Sequence, residues 1–122
     1  MGVNLQGANL QGAHIEWAYL GGANLKEANL SRRANLFSAD LTEANLQGAN
    51  LIEANIEMAT FQLSKLHLAN FKESNLEGAK NLSLFQLSKA RTLSNAKLDN
   101  ELLMPLKEKY LTLFEEPKWI LF

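Results

Sequence analysis

Two histidines and a series of glutamates are the residues of this sequence that could carry metal or acid–base chemistry. His14 and His67 are its only histidines, and the chain has no cysteine. Both histidines occupy outward positions of a five-residue repeat, on opposite faces, so they cannot share a metal ion, and no third ligand is evident. Glu16, Glu57 and Glu77 fall in one outward column, where stacked acids could form an acid–base pair, but solvated polar repeats are commoner. The sequence therefore predicts no metal site, no cofactor and no catalytic residue.

Other catalytic motifs are also missing from the sequence. The Gly-Ala pairs that begin at Gly7, Gly12, Gly22 and Gly48 lie at repeat corners and do not form a phosphate-binding loop. No serine has a histidine within reach in an order that suits a catalytic triad. We therefore expect that the protein is not an enzyme.

Charge and hydropathy narrow the classes of partner. The chain has 122 residues, of which 12 are basic and 13 acidic, for a net charge of -1. This balance predicts no nucleic-acid partner. No apolar run reaches the ~20 residues that span a bilayer, and the N-terminal residues lack the features of a signal peptide. We therefore expect one cytoplasmic domain without a membrane partner.

A repeat of five residues organises the chain from Val3 to Gly78. The fifteen units follow one pattern, a small residue, Asn or Asp, Leu and two variable residues, as in ANLQG, ANLKE and ADLTE. Ile takes the central position at 15 and 56, and Phe takes it at 61 and 71. The Ala-to-Leu spacing of two puts both side chains on one side of an extended segment. The Leu-to-Ala spacing of three lets the chain turn a corner before the next unit. Coils of this kind bury their Ala and Leu side chains only by stacking on one another.

These units resemble those of the pentapeptide-repeat family, whose pattern is Ala-(Asp/Asn)-Leu-x-x. The resemblance implies an all-β solenoid, a right-handed quadrilateral β-helix of about four coils with a short α-helical C-terminal cap. It also implies that the central Leu or Phe and the preceding Ala point inward. We expect residues 1–82 to form the β-helix and residues 83–122 to form the helical cap and apolar tail of the same domain. The resemblance implies little about function, since most members have none assigned.

Two features inside the repeat have structural interpretations. Ser31, Arg32 and Arg33 stand where two residues are expected, which predicts a one-residue bulge at a corner; the alternative is a displayed pair of arginines for an anionic partner. In the second column the residues before the central ones are all asparagines, which predicts a ladder of stacked amides. The members of this column are Asn9, Asn29, Asn50 and Asn70.

After the fifteenth unit the repeat stops and helical signals follow. Ser83 and Gln86 stand in capping-box spacing, so we expect a short helix over residues 83–89. An apolar stripe predicts a second helical stretch over residues 99–114, which Pro105 must break or kink unless it opens a new helix. Such helices would cover the end of the solenoid, which otherwise exposes its core and strand edges.

One outward cluster, formed by Trp17, Phe37 and Met58, is a candidate interaction patch. Trp17 and Met58 occupy the same repeat position two coils apart, and Phe37 lies next to that track. Exposed apolar clusters often mark interfaces, so the cluster predicts an unknown protein partner. Coverage by the C-terminal tail is an equally open interpretation.

The two ends of the solenoid are candidate sites of self-association. The first coil presents its central residues and its strand edges, which a two-fold homodimer would bury together. These central residues are Leu5, Leu10, Ile15 and Leu20. The alternative is an apolar terminus made of Trp119, Ile120, Leu121 and Phe122. Because two helices can cover the C-terminal end, the N-terminal end is favoured.

Two functions from different classes fit these features. The first is a non-enzymatic scaffold that binds another protein, since no cleft with convergent polar groups is evident. The second is a DNA-mimicking gyrase inhibitor, which a resemblance to the fluoroquinolone-resistance branch of the family implies. Residues 1–82 carry 8 acids and 6 bases, a net of -2, and the rod would match only about five to six base pairs at roughly 3.4 Å each. Weak charge and short length both favour the first function.

Overall fold

Parallel backbone pairing recurs along the chain after every four repeat units. In the computed structural model, which describes residues 2–116, Asn4 pairs with Asn24 and Asn24 pairs with Asn45. Three further ladders begin at Asn9, His14 and Tyr19. Each coil therefore has four faces, which we number one to four from the ladders that begin at Asn4, Asn9, His14 and Tyr19. The pairs are isolated bridges of one residue on each face, so the described residues contain no longer strand.

A β-turn forms each regular corner between two faces. The N–H of the small residue donates to the carbonyl of the preceding central residue, as from Ala28 to Leu25 at 3.0 Å and from Ala44 to Leu41 at 2.9 Å. The residue just before the small one has a positive φ, which is 58° at Glu27. A type II turn has this combination. The turn explains why the two variable residues of each unit face solvent while its small and central residues turn inward.

The core is made of stacked rows of small and central side chains. From the second coil onward the central residues of the rod are buried, and Leu25, Leu46 and Phe61 have no exposed surface. The central residues of the first coil are only half-buried although they pack against this core. The small and central side chains thus point inward, as the spacing predicts. The fraction of their surface that is buried is lowest in the first coil.

The asparagines do not form the predicted amide ladder on the second face. The side-chain oxygens of Asn9, Asn50 and Asn70 each accept the backbone N–H two residues further on, at 3.0 to 3.2 Å. Asn29 does the same toward Ser31, at 3.1 Å. This local bond is an Asx turn. The repeated Asn therefore stabilises its own corner.

The predicted one-residue bulge lies at the corner between the second and third faces. Arg32 and Arg33 both have positive φ values of 55° and 64° and are exposed. Ser31 is buried, and its hydroxyl donates to the side-chain oxygen of Asn29 at 2.6 Å. The ladders keep their register on both sides, since His14 still pairs with Asn35. The extra residue is absorbed entirely in the turn.

The first helix, α1, spans Leu84–Ser88 and begins with the predicted capping box. The Ser83 hydroxyl accepts the Gln86 N–H at 3.0 Å, and the Gln86 side-chain oxygen accepts the Ser83 N–H at 2.9 Å. The Gln86 amide nitrogen then donates to the backbone carbonyls of Phe61 at 2.8 Å and Ser64 at 3.0 Å. One side chain thus caps the helix and bonds to two carbonyls at the corner where the third coil passes into the fourth.

The β-helix continues beyond the boundary predicted from the sequence. Thr92 and Lys97 form parallel bridges to the fourth coil, so the second and third faces extend into a partial fifth coil. In this coil α1 takes the sequence position of the first face, and its Leu87 is fully buried. The repeat is interrupted by the helix and then resumes. Leu93 and Leu98 are buried and stand five residues apart, and this spacing is the sequence feature that indicates the resumed repeat.

The second helical region consists of two elements, which corrects the prediction of one helical stretch. Helix α2 spans Asn100–Lys109 and continues through Pro105 without a break. A proline inside a helix removes one backbone hydrogen bond, and here the remaining bonds keep the helix continuous. A 3₁₀-helix follows over Leu111–Phe114, after Tyr110 leaves the helical conformation with φ -133° and ψ 49°. Leu106 of α2 is fully buried and joins the core.

The 3₁₀-helix closes the end of the second face. The Leu93 N–H donates to the Leu113 carbonyl at 2.7 Å, where another coil would otherwise supply the acceptor. Just beyond it, Lys72 and Glu116 form an ion pair at 2.8 Å, and this hydrogen bond raises the pKa of the Lys72 ammonium. Residues 117–122, which include the apolar terminus at Trp119, lie outside the described part of the chain.

The inward and outward assignments can be tested by one pair of substitutions in a single unit. Leu41→Asp places a carboxylate where no surface is exposed, and we expect the free energy of unfolding to fall by about 4 kcal/mol or more. Glu43→Lys changes an exposed corner residue and should change the free energy of unfolding by less than about 0.5 kcal/mol. Urea unfolding followed by circular dichroism measures the free energy of unfolding of both variants. A larger loss for Glu43→Lys than for Leu41→Asp would disprove the inward and outward assignments.

The double role of Gln86 can be tested with a nearly isosteric change. Gln86→Glu replaces the donor amide with a carboxylate facing the carbonyls of Phe61 and Ser64, so we expect a loss of about 2–3 kcal/mol at pH 7. These carbonyls raise the folded-state pKa of the new carboxyl, so the folded protein binds the extra proton and the loss shrinks as the pH falls toward about 4.

The control for this substitution is Gln62→Glu, at an exposed glutamine between Phe61 and Ser64. It should change the unfolding free energy by less than about 0.5 kcal/mol at either pH. Equal losses for the two variants, or a Gln86→Glu loss that does not depend on pH, would contradict the bonding role of Gln86.

Candidate functional site

Trp17 and Phe37 meet on the third face of the rod. Their ring centroids are 5.5 Å apart and their planes are inclined by 79°, an edge-to-face arrangement. The backbone joins the two coils at the same point, since the Trp17 N–H donates to the Phe37 carbonyl at 2.8 Å. Phe37 is half-buried, whereas 72% of the Trp17 surface is exposed. The pair therefore presents an aromatic ridge to solvent.

Met58 lies on the same face but is turned toward the C-terminal end. It occupies the same position as Trp17 two coils later, and it is 38% exposed. Its sulfur lies over Gly78 in the next coil, so closely that a Cβ atom at that glycine would collide with it. The structure thus brings Trp17 and Phe37 into contact and places Met58 further along the same face. Coverage of this face by residues 117–122 falls outside the described residues.

The corner conformation does not by itself require a large side chain at Trp17 or Met58. Both residues have positive φ values, 62° and 63°. Glycine adopts this conformation without steric cost, and other residues lose about 1–2 kcal/mol there. Gly12 and Gly22 occupy the equivalent corners on either side of Trp17. The choice of tryptophan at this corner therefore needs an explanation other than backbone geometry.

Carboxylates line the third face beside the aromatic pair. Glu16, Glu57 and Glu77 follow the central residues of their coils at the position that Phe37 holds in the second coil. Successive coils are about 4.8 Å apart, so Glu57 and Glu77 lie next to each other. Asp99 continues this track in the partial fifth coil, a residue that the sequence analysis missed because it took the repeat to end before it.

The acids of this track have different local partners. The Asp99 carboxylate accepts the Gly78 N–H at 3.1 and 3.3 Å, which supplies the acceptor that the next coil would have provided. Glu16 lies 3.7 Å from the Nδ1 atom of His14. A hydrogen bond that orients a nucleophile toward one of these acids is not found among the described residues. The track is therefore a negatively charged surface.

The two histidines lie on opposite faces. His14 belongs to the third face and His67 follows the central residue of a first-face unit, and both are exposed. Within residues 2–116 there is no group of three or more His, Cys, Asp or Glu side chains that could hold a metal ion. Over the same residues, no helix is both long and apolar enough to cross a membrane.

A groove of about 750 Å³ lies between the fourth face, α1 and α2. Leu63, Phe85 and Leu102 form much of its wall, and Asp99 and Glu101 lie at its edge. Of its two serines, Ser64 donates its hydroxyl hydrogen to the Phe61 carbonyl at 3.0 Å, and the Ser83 hydroxyl accepts the Gln86 N–H at 3.0 Å. Among the described residues, neither hydroxyl is hydrogen-bonded to Asp99 or Glu101. The groove thus offers apolar surface without a catalytic pair.

The two ends of the rod differ in how they are covered. At the N-terminal end Leu5, Leu10, Ile15 and Leu20 remain half-buried. At the other end Leu87, Leu93 and Leu106 have no exposed surface. The alternative interface at Trp119, Ile120, Leu121 and Phe122 lies outside the described residues.

Solved structures with the same architecture include several repeat proteins. HetL from Nostoc sp. strain PCC 7120, a pentapeptide repeat protein involved in heterocyst differentiation regulation, is 26% identical with a TM-score of 0.61, over 77% of this chain and 38% of HetL. The alr5209 protein of Nostoc PCC 7120 is 28% identical with a TM-score of 0.58, over 79% and 80% of the two chains. A trypsin-treated variant of QnrB1, a plasmid-mediated fluoroquinolone resistance protein, is 27% identical with a TM-score of 0.51, over 87% and 53%.

These likenesses cover the chain more fully than they cover two of the three relatives. The chain spans 38% of the length of HetL and 53% of that of the QnrB1 variant. No curated protein matches the sequence significantly. The family model "Pentapeptide repeats (8 copies)" matches residues 1–32 and 32–67. Because these matches cover more than half of the sequence, the chain belongs to the pentapeptide-repeat family.

Proposed function

We propose that this protein is a non-enzymatic scaffold that binds another protein through the third face of its rod. The rod is a right-handed quadrilateral β-helix of four coils and a partial fifth, closed at its C-terminal end by α1, α2 and the 3₁₀-helix. The observation that carries the proposal is the exposed Trp17–Phe37 pair beside a track of carboxylates.

The rod is suited to binding because its outward side chains are held on a rigid frame. Each interior coil bonds to both neighbours on its four faces, and each regular corner is closed by its own turn. Binding therefore orders few backbone torsions, which lowers the entropic cost of association. The Trp17 ring is further positioned by its edge-to-face contact with Phe37.

The chemistry of the third face defines the class of partner. Tryptophan is among the residues that most often dominate the binding energy of protein interfaces. Carboxylates beside such an anchor favour a partner of opposite charge. Glu16 lies next to Trp17, and Glu57 and Glu77 extend the negative surface along the same face. We therefore propose a protein partner that offers an apolar side chain flanked by lysine or arginine.

Likeness to HetL supports a regulatory rather than a catalytic role. HetL is described as involved in the regulation of heterocyst differentiation, and it is similar to this chain over 77% of the chain. The groove beside α1 and α2 is consistent with this role, since its serines Ser64 and Ser83 are hydrogen-bonded to backbone groups and not to the acids Asp99 and Glu101.

Gyrase inhibition by DNA mimicry is the second candidate function. It is favoured by the likeness to QnrB1, a plasmid-mediated fluoroquinolone resistance protein. The weak net charge of the rod disfavours DNA mimicry. Residues 1–82 carry 8 acids and 6 bases, whereas duplex DNA carries one negative charge for about every 1.7 Å of its axis. The bases are also mixed among the acids, as at Lys26 beside Glu27 and Lys72 beside Glu73. The third face alone is mainly acidic, which suits a basic protein segment better than a DNA-binding cleft.

The scaffold proposal predicts that partner capture depends on Trp17. Trp17→Gly removes the exposed ring and relieves a corner with positive φ, so the unfolding free energy should change by less than about 1.5 kcal/mol. Proteins captured from the source cell by the parent chain in low salt should be lost with Trp17→Gly and weakened at about 0.5 M salt. Quantitative mass spectrometry of the captured proteins measures both effects.

The matched control is Leu63→Gly, at the equivalent corner position of the fourth face. Leu63 has φ 59° and is 70% exposed, so it resembles Trp17 in conformation and exposure. Capture should survive this substitution. Equal retention of partners by both glycine variants, or loss from both, would disprove binding through the third face.

A supercoiling assay distinguishes the two candidate functions. We expect no inhibition of gyrase at micromolar protein, because the rod lacks the charge density of duplex DNA. Inhibition at that concentration that survives Trp17→Gly would establish the second function and reject the first. The positive control is a fluoroquinolone-resistance protein of the same family in the same assay.

A further inference from the structure

A pocket of about 280 Å³ lies between the first face of the rod and α1. Its apolar wall is formed by Leu66, which is buried, and by Phe85, of which 72% is exposed. This volume is near the lower end of the roughly 300–1,000 Å³ that is usual for ligand pockets. The pocket therefore suits a small ligand or a single side chain better than a long peptide.

Cationic side chains surround this apolar wall. Lys65, His67 and Lys89 line the pocket, and all three are exposed. Of the described residues that line it, none is an aspartate or a glutamate. Within residues 2–116 neither lysine ammonium group lies within ion-pair distance of a carboxylate. The pocket thus offers positive charge that the fold itself does not neutralise.

The Lys89 ammonium is held at the edge of the pocket by the ring of Phe85. Its Nζ atom lies 4.9 Å from the ring centroid, a cation–π contact. The Lys89 backbone is fixed as well, since its carbonyl accepts the Leu68 N–H at 2.8 Å. One side of the pocket therefore combines an aromatic ring with a positioned cation.

The α1 wall of the pocket is joined firmly to the first-face wall. The Gln86 side-chain nitrogen donates to the carbonyls of Phe61 and Ser64, which fixes α1 against the rod. On the opposite wall Lys65 belongs to the first-face ladder, where it pairs with Asn45. A ligand therefore meets walls that are already in place, which lowers the cost of binding.

Gln47 adds a neutral hydrogen-bond donor to the same pocket. It lies one coil before His67, at the same repeat position. Its backbone N–H and carbonyl are hydrogen-bonded, whereas its side-chain amide makes no hydrogen bond within residues 2–116. This amide can therefore donate to a bound anion.

We propose that this pocket binds a small aromatic anion, a single ring that carries a phosphate or a carboxylate. The ring packs against Phe85 and Leu66. The anionic group accepts charge-assisted hydrogen bonds from the Lys65 and Lys89 ammonium groups. The pocket lies on the first face, opposite the third, so this inference does not depend on the proposed function.

A nuclear magnetic resonance titration of the full chain with phenyl phosphate, at constant ionic strength, tests the site. The largest amide shifts should fall at Leu66, His67, Phe85 and Lys89. Inorganic phosphate should bind at least about fivefold more weakly because it lacks the ring. Shifts spread over the lysines of every face overturn the proposal, as does equal binding of the two probes.

A pair of lysine substitutions separates the site from general charge. Lys65→Gln removes one ammonium group from the pocket and should weaken phenyl phosphate binding at least about fivefold. The control is Lys97→Gln, at an exposed lysine that holds the same repeat position on the third face. It should change the affinity by less than about twofold, because salt screens a distant exposed charge. Equal weakening in the two variants would leave only an effect of net charge and overturn the site.

Phe85→Ala separates the ring from the cations. Phe85 is largely exposed, so the fold should persist while the preference for phenyl phosphate over inorganic phosphate is lost. A folded variant that keeps this preference overturns the proposal. If a variant does not fold, the position of the shifts and the comparison of the two probes in the parent chain still decide.

A phosphotyrosine peptide distinguishes two sources of the aromatic anion. The probe is a short glycine-rich peptide with one phosphotyrosine, and its unphosphorylated form is the control. Competition with phenyl phosphate by the phosphorylated form alone assigns the site to a side chain of another protein. Binding of phenyl phosphate without such competition assigns it to a free small molecule, and absence of binding by both probes overturns the proposal.

Discussion

The structure depends on the turn that closes each corner of the coil. The N–H of the small residue donates to the carbonyl of the preceding central residue. The residue just before the small one has a positive φ. Because this turn has a fixed geometry, each face begins in the same orientation and the central side chains stack in straight rows. The Asn side chain adds a second bond at the same corner, since its oxygen accepts the backbone N–H two residues further on. The side-chain nitrogen is left for other contacts, as on the third face, where Asn55 donates to the Asn35 oxygen at 3.4 Å.

Stacking of equivalent coils leaves a solenoid with two unlike ends. At the C-terminal end the chain supplies substitutes for the next coil: the Gln86 amide bonds to two carbonyls, the Leu113 carbonyl accepts the Leu93 N–H, and the Asp99 carboxylate accepts the Gly78 N–H. Each substitute satisfies a polar group that would otherwise be left unpaired. The outer side of the first coil shows no such substitute among the described residues.

Function, in a rod of this kind, is confined to the residues that the repeat leaves free. The small and central residues pack in the core, and where the residue between them is Asn or Asp, its side-chain oxygen bonds within its own turn. The two variable positions of each unit carry the chemistry that distinguishes one member of the family from another. Here they place an aromatic pair, Trp17 and Phe37, beside a track of acids on one face. Basic residues are mixed with acids over the rest of the rod, so likeness to a fluoroquinolone resistance protein extends to the fold and not to the charge pattern of duplex DNA.

The sequence by itself determined the inward rows, the corners and the bulge at Arg32 and Arg33 through its five-residue period, and the capping box through the spacing of Ser83 and Gln86, because each follows from contacts within a few residues of the chain. It also identified Trp17, Phe37 and Met58 as outward neighbours, since their repeat positions set their face. Only the tertiary structure decided features that depend on residues distant in sequence. It showed that Leu93 and Leu98 resume the repeat after α1, because their ladders are completed by residues of the fourth coil. It showed that α2 continues through Pro105, and that the Met58 sulfur turns toward Gly78 in the next coil, where only the absence of a side chain makes room for it.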